Sequence, residues 1–589
     1  MTYRLVGSPI ADRTAALICT AAFALAGCGG KDEGNAGAAY TATFAPPALS
    51  GSITVAGNPQ PWNTTVTFDR APDAAVNLGI VDVNGVASPG SVTVTPQGGG
   101  SYRIALSTSG SLAAGNYRGN LQLRACRDSV TTCAQPLPGS PWQLPYSLSA
   151  LPSLASVENQ CSSLDAQRTW VRSYVNEAYL WYREVPAADP TAFSTPQAYF
   201  EALRVRTPTA SGKPRDQFSF ATDTAAFNAV NAGLLIGYGI QPMLDADGRV
   251  RVAYVEPGSP AAVAGVARGD TIVSIDGQLS SDGAGPEIQA ALFPPAAGQT
   301  RAFTVRSVSG AQRTVDLTSA VIAVSPVLTS QVLNMGGARI GYVVFNGFVL
   351  SAQDQLIAAI GSLRSAGIDD LVLDLRYNGG GLVAIAAQIG YMIGGQATEG
   401  KVFERSRANE KRVVDNSDEN AVLPFVRFRY DLAADAETSV ALPTLNLRRV
   451  FMLTTEGTCS ASESLINGLR GVDIEVITVG STTCGKPYGF TPRDNCGISY
   501  LPVEFEGVNA KGFGDYADGF TPTCSVSDDL SRQLGDPAEG MLAAALARRA
   551  TGQCPATAQA RSVKAGGQPA APGARLLRSP VQENKYRLR

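Results

Sequence analysis

The chain has 589 residues, enough for about three or four domains of ordinary size. Only 16% of the residues are charged and the net charge is −3, so the composition indicates no basic surface for nucleic acid. Histidine is absent, which removes the commonest transition-metal ligand and excludes a Ser-His-Asp triad. We therefore expect no metal and no cofactor.

The N-terminus carries the features of an export signal. Residues 14–27, "TAALICTAAFALAG", are apolar but too few to span a bilayer comfortably, and basic residues precede them. The following "LAGC" resembles the bacterial lipobox, which implies that Cys28 is lipidated; an ordinary secretory signal that contains a cysteine is the alternative. We expect residues 1–28 to be a lipoprotein signal and residues 29–45 a linker. Because Gly29 rather than aspartate follows the cysteine, the resemblance implies an outer-membrane anchor facing the periplasm.

Two segments of different character follow the linker. Residues 46–150 contain short alternating runs separated by Gly, Pro and Asn, which predicts a β-sandwich. This pattern resembles bacterial immunoglobulin-like modules and suggests a spacer or docking surface. Residues 156–232 have helical spacing of apolar residues, and Thr195-Pro196 is a helix start signal.

Residues 233–322 have the pattern of a compact β-rich module. They open on "GYGI" and continue with "SPAAVAGVARGDTIVSIDG", a combination that looks like a PDZ domain. In that family the backbone N–H groups of such a loop hold a peptide's terminal carboxylate, and the peptide adds to the sheet edge. The resemblance assigns this carboxylate-binding role to Gly237, Tyr238, Gly239 and Ile240. A glycine-rich strand entry is the alternative for "GYGI" alone.

Strands and helices alternate over residues 335–552, which predicts a multidomain chain whose largest unit is an α/β domain with mainly parallel strands. Residues 396–445 interrupt this pattern with a polar insertion. Residues 555–589, rich in Ala, Gly, Pro and Arg, are expected to form a flexible tail.

Three short motifs in the α/β domain could carry chemistry. In "GTCSASESLINGLRG", Ser460-x-x-Glu463 fits a helix capping box, although the serine could also be a nucleophile at a helix start. In "LVLDLRYNGGG", three glycines follow a buried strand and could present N–H groups to an oxyanion; a plain turn remains the alternative. In "TTCGKPYGF", Lys486 lies among small and apolar residues after a strand, where a solvated surface lysine is the alternative.

Together the motifs resemble the carboxyl-terminal-processing or tail-specific proteases over residues 157–552. The resemblance implies a crotonase-like core and a Ser-Lys dyad, with Ser460 as nucleophile and Lys486 as base. It also implies protein substrates with free apolar C-termini. Burial in an apolar pocket would lower the pKa of the lysine, so no histidine is needed. Relatives can place glutamine four residues after the lysine, whereas Phe490 stands here, so the third catalytic member is left open.

The remaining roles follow from that chemistry. The N–H of Ala461 and that of Gly379 or Gly380 would bind the oxyanion, and Glu463 would orient Lys486 or cap the helix. The competing function is a non-catalytic peptide- or apolar-ligand-binding protein on the same fold.

The cysteines beyond Cys28 are even in number, as expected of an exported protein with disulfides. Sequence alone does not determine their connectivity. Proximity along the chain favours pairs 126–133 and 496–524, and we further expect pairs 459–484 and 161–554. The residues concerned are Cys126, Cys133, Cys161, Cys459, Cys484, Cys496, Cys524 and Cys554.

Overall fold

The computed structural model describes residues 38–55, 57, 59–280, 284–431, 436–555, 575–578 and 587–588. The predicted signal segment and Cys28 lie outside these residues. Within the part of the chain described, no helix is long and apolar enough to cross a membrane.

The N-terminal module consists of two four-stranded sheets that share one hydrophobic core. Side chains along β3 alternate between buried and more exposed positions, as a sheet with one face on a core requires. The sheet orders are β1-β3-β6-β5 and β2-β8-β7-β4. The strands are β1 (Ala42–Ala45), β2 (Leu49–Thr54), β3 (Pro61–Phe68), β4 (Asn77–Val81), β5 (Thr93–Gly98), β6 (Ser101–Ser107), β7 (Gly115–Cys126) and β8 (Trp142–Leu151).

The predicted helical segment packs directly on the α/β domain. Thr195 caps the second predicted helix by accepting the Ala198 N–H at 3.1 Å. Trp170 and Phe220 share a hydrophobic cluster with Phe490, so this segment reaches the region of the lysine motif. Its elements are α1 (Leu154–Val157), α2 (Leu164–Ala178), two 3₁₀ turns (Tyr182–Glu184, Pro190–Ala192), α3 (Pro196–Ala202), β9 (Phe220–Asp223) and α4 (Thr224–Asn231).

The predicted PDZ region forms an antiparallel sheet with its own core. Its strands follow the order β16-β15-β13-β12-β11, β14 pairs with β13, and β10 pairs separately with β17. The elements are β10 (Leu234–Gly237), β11 (Ile240–Leu244), β12 (Val250–Val255), α5 (Pro260–Val263), β13 (Thr271–Ile275), β14 (Gln278–Leu279), α6 (Pro286–Leu292), β15 (Thr300–Arg306), β16 (Gln312–Thr318) and β17 (Ala320–Ala323).

The α/β domain is built on a six-stranded sheet in the order β18-β19-β20-β26-β27-β32. Only β18 and β19 pair antiparallel; each further neighbour is parallel. The elements of the sheet and the helices around it are β18 (Val327–Met335), β19 (Ala338–Phe345), α7 (Ala352–Ala366), β20 (Asp370–Asp374), β21 (Gly381–Leu382), α8 (Val383–Gly394), a 3₁₀ turn (Gly395–Ala397), β26 (Arg449–Thr454), α10 (Ala461–Gly471), β27 (Glu475–Gly480), β32 (Cys524–Ser525) and α11 (Gly540–Thr551).

The polar insertion at 396–445 is more ordered than its composition suggests. Part of it joins β28, within the lysine motif, and β31, beyond it, in a sheet of order β23-β22-β31-β28. The strand β30 pairs with β9 of the helical segment. These elements are β22 (Val402–Ala408), α9 (Asp418–Ala421), β23 (Val422–Pro424), β24 (Phe428–Asp431), β25 (Ala436–Ala441), β28 (Tyr488–Gly489), β29 (Arg493–Asn495), β30 (Ile498–Leu501) and β31 (Phe505–Val508).

The segment expected to be a flexible tail contributes two short strands, β33 (Arg575–Leu576) and β34 (Arg587–Leu588). The strand β33 pairs antiparallel with β11, and β34 pairs parallel with β21. The tail is otherwise rich in small and basic residues. The apolar pair Leu576-Leu577 explains why this part of it docks on β11.

Disulfides join Cys126 to Cys133 and Cys459 to Cys484, the two predicted pairings that the structure confirms. The other two predictions are wrong, because the structure pairs Cys161 with Cys496 and Cys524 with Cys554. The Asn159 N–H donates to Asn495 Oδ1 at 2.8 Å, so the turn before β30 lies beside the residues that precede α2. Similarly, α11 packs beside β27, the neighbour of β32, so the cysteine after this helix meets the one in β32.

Candidate active site

The three sequence motifs follow three adjacent parallel strands. The glycine motif follows β20, the serine motif follows β26 and the lysine motif follows β27. Because the carboxyl ends of parallel strands meet at one edge of a sheet, three motifs spread over about a hundred residues converge there. The three motifs therefore lie side by side in the same order in which they occur along the chain.

Ser460 has a backbone conformation that a capping serine does not need. Its φ is 58° and its ψ is −114°, whereas N-cap residues usually occupy the extended region. A non-glycine residue at positive φ is strained, and such strain concentrates at functional sites. The residue is fully buried, and its Oγ has no hydrogen-bond partner among the described residues. Ser460 and Glu463 still have the arrangement of a capping box, in which the Glu463 N–H faces the Ser460 side chain, but the hydroxyl makes no hydrogen bond of ordinary geometry there.

Glu463 connects the serine loop and the lysine loop through hydrogen bonds. One oxygen, Oε2, accepts the Ser460 N–H at 2.9 Å and the Lys486 N–H at 2.8 Å. The other, Oε1, accepts the Gly485 N–H at 2.8 Å and the Thr483 hydroxyl at 2.5 Å. Burial raises the pKa of the Glu463 carboxyl, although these donors act in the opposite direction. Through these bonds Glu463 holds the backbone of the serine loop against the backbone of the lysine loop.

The Cys459–Cys484 disulfide is a second connection between the same two loops. Cys459 immediately precedes the serine, and Cys484 lies two residues before the lysine. The Cys484 N–H also donates to the Thr458 carbonyl at 3.0 Å. The relative position of the two loops is thus set by covalent and hydrogen bonds.

The glycine loop lies against the serine through Gly380. This residue has φ of +102°, and a Cβ placed on it would lie 2.7 Å from the Ser460 Cβ and 3.0 Å from the Ala461 nitrogen. Only glycine allows so close an approach. The Gly380 N–H donates to Asn378 Oδ1 at 2.9 Å. In this conformation, therefore, Gly379 rather than Gly380 is the glycine whose N–H remains a candidate oxyanion donor beside Ala461, the first residue of α10.

Lys486 is fully buried between aromatic rings. Its Nζ lies 4.1 Å from the ring centre of Phe490 and 5.3 Å from that of Phe218. Phe490 thus faces the amine directly. Phe218 comes from the helical segment, so that segment closes the lysine pocket and keeps water from it.

Several residues of the site were missed by sequence reasoning. Asn378 joins the glycine and serine loops, since its carbonyl accepts the Cys459 N–H at 3.1 Å and the Ser462 hydroxyl at 3.2 Å. Its place directly before the glycines was the available signal. Thr483 and Phe218 had no recognisable signal, because their roles depend on contacts between distant segments.

A buried ionic network connects the site to the PDZ region. Arg376, next to the glycine loop, donates to Asp528 at 2.6 Å and to Glu539 at 2.8 and 2.9 Å. Arg268 of the PDZ region donates to the same Asp528 at 2.7 Å and to the Tyr377 hydroxyl. Burial alone would raise the pKa of Asp528, but the two guanidinium groups outweigh it and hold this pKa far below its usual range.

The predicted carboxylate loop borders a cavity of about 360 Å³. Residues 237–241 line it together with Leu292 and Glu256. Gly239 has φ of +85°, and any side chain on it would collide with Ser259, so the loop requires glycine there. Burial raises the pKa of the Glu256 carboxyl to about 7, despite a hydrogen bond from the Ser325 N–H. An ionisable group therefore stands beside the loop.

Comparison with known proteins gives the same order of domains along the chain. Residues 339–497 match peptidase family S41, residues 166–220 match the peptidase S41 N-terminal domain and residues 251–297 match a PDZ domain. The chain is 35% identical over 160 residues to a carboxyl-terminal-processing protease of Picosynechococcus sp. (strain ATCC 27264 / PCC 7002 / PR-6). That match covers 27% of this chain and 38% of the cyanobacterial protein.

Longer matches have lower identity. A chloroplastic C-terminal processing peptidase of Tetradesmus obliquus is 26% identical over 368 residues, which is 57% of this chain and 70% of the algal protein. A solved structure assigned to the S41 proteases, from Bacteroides fragilis NCTC 9343, has 27% identity and a TM-score of 0.50. It covers 65% of this chain and 97% of its own. These parts of the chain are therefore similar to peptidase family S41, to its N-terminal domain and to a PDZ domain.

Proposed function

We propose that the protein is a serine endopeptidase of the C-terminal-processing type that uses Ser460 and Lys486 as a catalytic dyad. The observation that carries the proposal is the shared acceptor in Glu463, which holds the backbones of both residues in one hydrogen-bonded unit. The strained φ of Ser460 and the lack of a hydrogen bond of ordinary geometry at its Oγ support the same role.

The proposed reaction begins with attack of Ser460 Oγ on the carbonyl carbon of the scissile peptide bond. In its deprotonated form Lys486 takes the hydroxyl proton and later gives it to the leaving amine. Water, deprotonated by the same amine, then hydrolyses the acyl-enzyme and regenerates Ser460. The N–H groups of Ala461 and Gly379 hold the carbonyl oxygen as it becomes negative, and the dipole of α10 favours that charge.

The substrate class follows from the PDZ region. A chain end with a free carboxylate and apolar side chains would bind at the 237–240 loop and its cavity, and extend as a strand along the sheet edge. Unfolded or tagged proteins present such ends. We further propose that the α/β domain has a crotonase-like fold and that the N-terminal module is an immunoglobulin-like sandwich serving as a spacer. A lipid on Cys28 would hold the protein at the outer membrane, facing the periplasm.

The second candidate is a binding protein without turnover. The cavity beside the carboxylate loop favours peptide binding as such, independently of the dyad. A binding role alone would not require a strained serine and a buried lysine tied to one carboxylate. The peptidase is therefore the function that the site supports best.

The test is incubation of the protein, disulfides intact, with an unstructured reporter that ends in an apolar free C-terminus. Mass spectrometry identifies the fragments, and Ser460→Ala serves as the control. Fragments made by the unmodified protein alone are the expected result. A reporter that stays intact but bound would favour the binding protein.

A further inference from the structure

The peptide-binding edge of the PDZ sheet is occupied by the chain's own tail. Antiparallel pairing places Leu576 opposite Met243 and Arg575 opposite Leu244 of β11. The Leu577 N–H donates to the Pro242 carbonyl at 3.0 Å, and its carbonyl accepts Gln241 Nε2 at 2.8 Å. The tail thus runs along β11 towards the 237–240 loop, in the manner of an added peptide strand.

The side chain of Leu577 secures this strand in the PDZ region. It is only 4% exposed and belongs to the hydrophobic core cluster that contains Tyr238, Ile288 and Leu292. Removing this apolar side chain from water favours the docked position. The strand is held by an anchor as well as by its backbone.

The same four residues also cover the catalytic loops. Leu576 packs against Gly457, three residues before the nucleophile, where its Cδ1 lies 2.9 Å from the position a Cβ would take. Arg578 donates to the Tyr377 carbonyl at 3.1 Å, and its guanidinium lies against Gly379. Residues 575–578 therefore bridge the PDZ edge, the serine loop and the glycine loop.

Further along the tail, the backbone of β34 reaches the other side of the site. It pairs in parallel with Gly381–Leu382, directly after the glycine loop, and lies beside β28, which follows the lysine. Two separate parts of the tail thus contact the loops that a substrate would have to approach.

We infer that the C-terminal tail is a cis-acting inhibitor: Arg575–Arg578 docks in place of a substrate strand and closes the path from the PDZ edge to the glycine loop. The inference rests on the proposed function for its effect on turnover, but the docking itself does not. A segment of the same chain binds intramolecularly, at an effective concentration on the order of 1 mM. With an intrinsic dissociation constant of about 0.1 mM, the tail would occupy about nine molecules in ten.

The first experiment measures docking without turnover. A fluorescent peptide of sequence ARLLRSP, residues 574–580, is titrated into a Ser460→Ala chain that ends at Gly573. We expect binding near 0.1 mM, at least about tenfold weaker binding when the peptide carries aspartate in place of Leu577, and competition by the reporter's free C-terminus. Failure of the peptide to bind would overturn the inference even if the enzyme cleaves reporters.

The second experiment measures inhibition in the unmodified catalytic background. Ending the chain at Gly573 should lower KM for the reporter by about tenfold with little change in kcat, because a competing strand has been removed. Leu577→Asp in the full-length chain should also lower KM. This variant tests the same contact without shortening the chain, in case the truncated chain misfolds. Val263→Asp, at an 83% exposed position of the same region, is the matched control and should change neither constant.

The two experiments separate this inference from the proposed function. Peptide binding together with an absence of any cleavage would leave the docked tail standing and reject the peptidase. Cleavage whose KM is the same in the full-length chain, the truncated chain and the Leu577→Asp chain would leave the peptidase standing and reject inhibition by the tail.

Discussion

Ser460 and Lys486 donate their backbone N–H groups to the same oxygen of Glu463, at 2.9 and 2.8 Å. The position of the proposed nucleophile relative to the proposed base is therefore set through the main chain. Side-chain rotation at either residue leaves this distance constraint intact. Glu463 itself is not expected to touch substrate. Because it sets this position, we still expect its replacement to change turnover.

Replacing Glu463 with glutamine should lower kcat by about a hundredfold and change KM much less. Both carboxylate oxygens accept N–H groups, so the amide NH₂ of glutamine must face donors and push one loop away. Steady-state kinetics with the reporter measure the effect. Glu475→Gln, at an exposed position at the start of β27, is the control, and an unchanged kcat in the Glu463 variant would contradict the positioning role.

Replacing Lys486 with methionine should remove general-base catalysis while keeping an apolar chain between Phe218 and Phe490. General-base contributions are typically 10²–10⁴-fold, and we expect a loss of kcat of about that size or larger. Circular dichroism should show an unchanged fold. Lys401→Met, at an exposed position, should retain full activity; equal activity in both variants would reject Lys486 as the base.

Removing the Cys459–Cys484 disulfide by a double alanine substitution should lower kcat by about tenfold or more, because the two catalytic loops lose their covalent connection. The loop that it closes spans 25 residues, for which the expected loss in unfolding free energy is about 3 kcal/mol. Kinetics and denaturant unfolding measure both effects. Removing Cys126–Cys133 in the N-terminal module is the control, since it should destabilise that module and leave kcat unchanged.

Binding of peptides with a free C-terminus should weaken as the pH rises through about 7, the pKa of Glu256. Burial raises this pKa, so the carboxyl is neutral below it and negative above it, where it repels a ligand carboxylate across the cavity. The comparison is fluorescence anisotropy with free and amidated peptides at about pH 6 and about pH 8. Amidated peptides and the Glu256→Gln variant should show little pH dependence; equal dependence for both peptides would contradict the assignment.

The same shift has a consequence for stability. Because the folded-state pKa of Glu256 is raised, the acid contributes most to stability below its unfolded value of about 4.3, and this contribution is lost as the pH rises through about 7. The Glu256→Gln variant should therefore gain stability relative to the unmodified chain over that interval.

Much of this site is predictable because each motif is local in sequence. Ser460, Lys486 and the glycine loop are each recognisable within a few residues, and alternation of strands and helices predicts that they meet at one sheet edge. The disulfides were only half predictable. Cys161 and Cys496 are separated by 335 residues and meet beside the Asn159–Asn495 hydrogen bond, a long-range contact without a local signal.

The docking of the C-terminal tail, by contrast, was not predictable from the sequence. A basic, alanine- and glycine-rich composition predicts flexibility, and one apolar pair, Leu576-Leu577, outweighs it because a sheet edge with a matching pocket is present. Phe218 reaches Lys486 for a similar reason, since the helical segment packs over the lysine pocket. Such contacts depend on the assembled surface and not on any periodicity of the sequence.

The central claim is that Lys486 activates Ser460, and covalent labelling tests it most directly. The full-length protein is treated with a serine-reactive fluorophosphonate, and the modified peptide is identified by mass spectrometry in the unmodified chain and in Lys486→Met. The account predicts a single adduct on Ser460, formed at least about a hundredfold more slowly in the lysine variant. Labelling of Ser460 at the same rate in both chains, or labelling of a different serine, would contradict it.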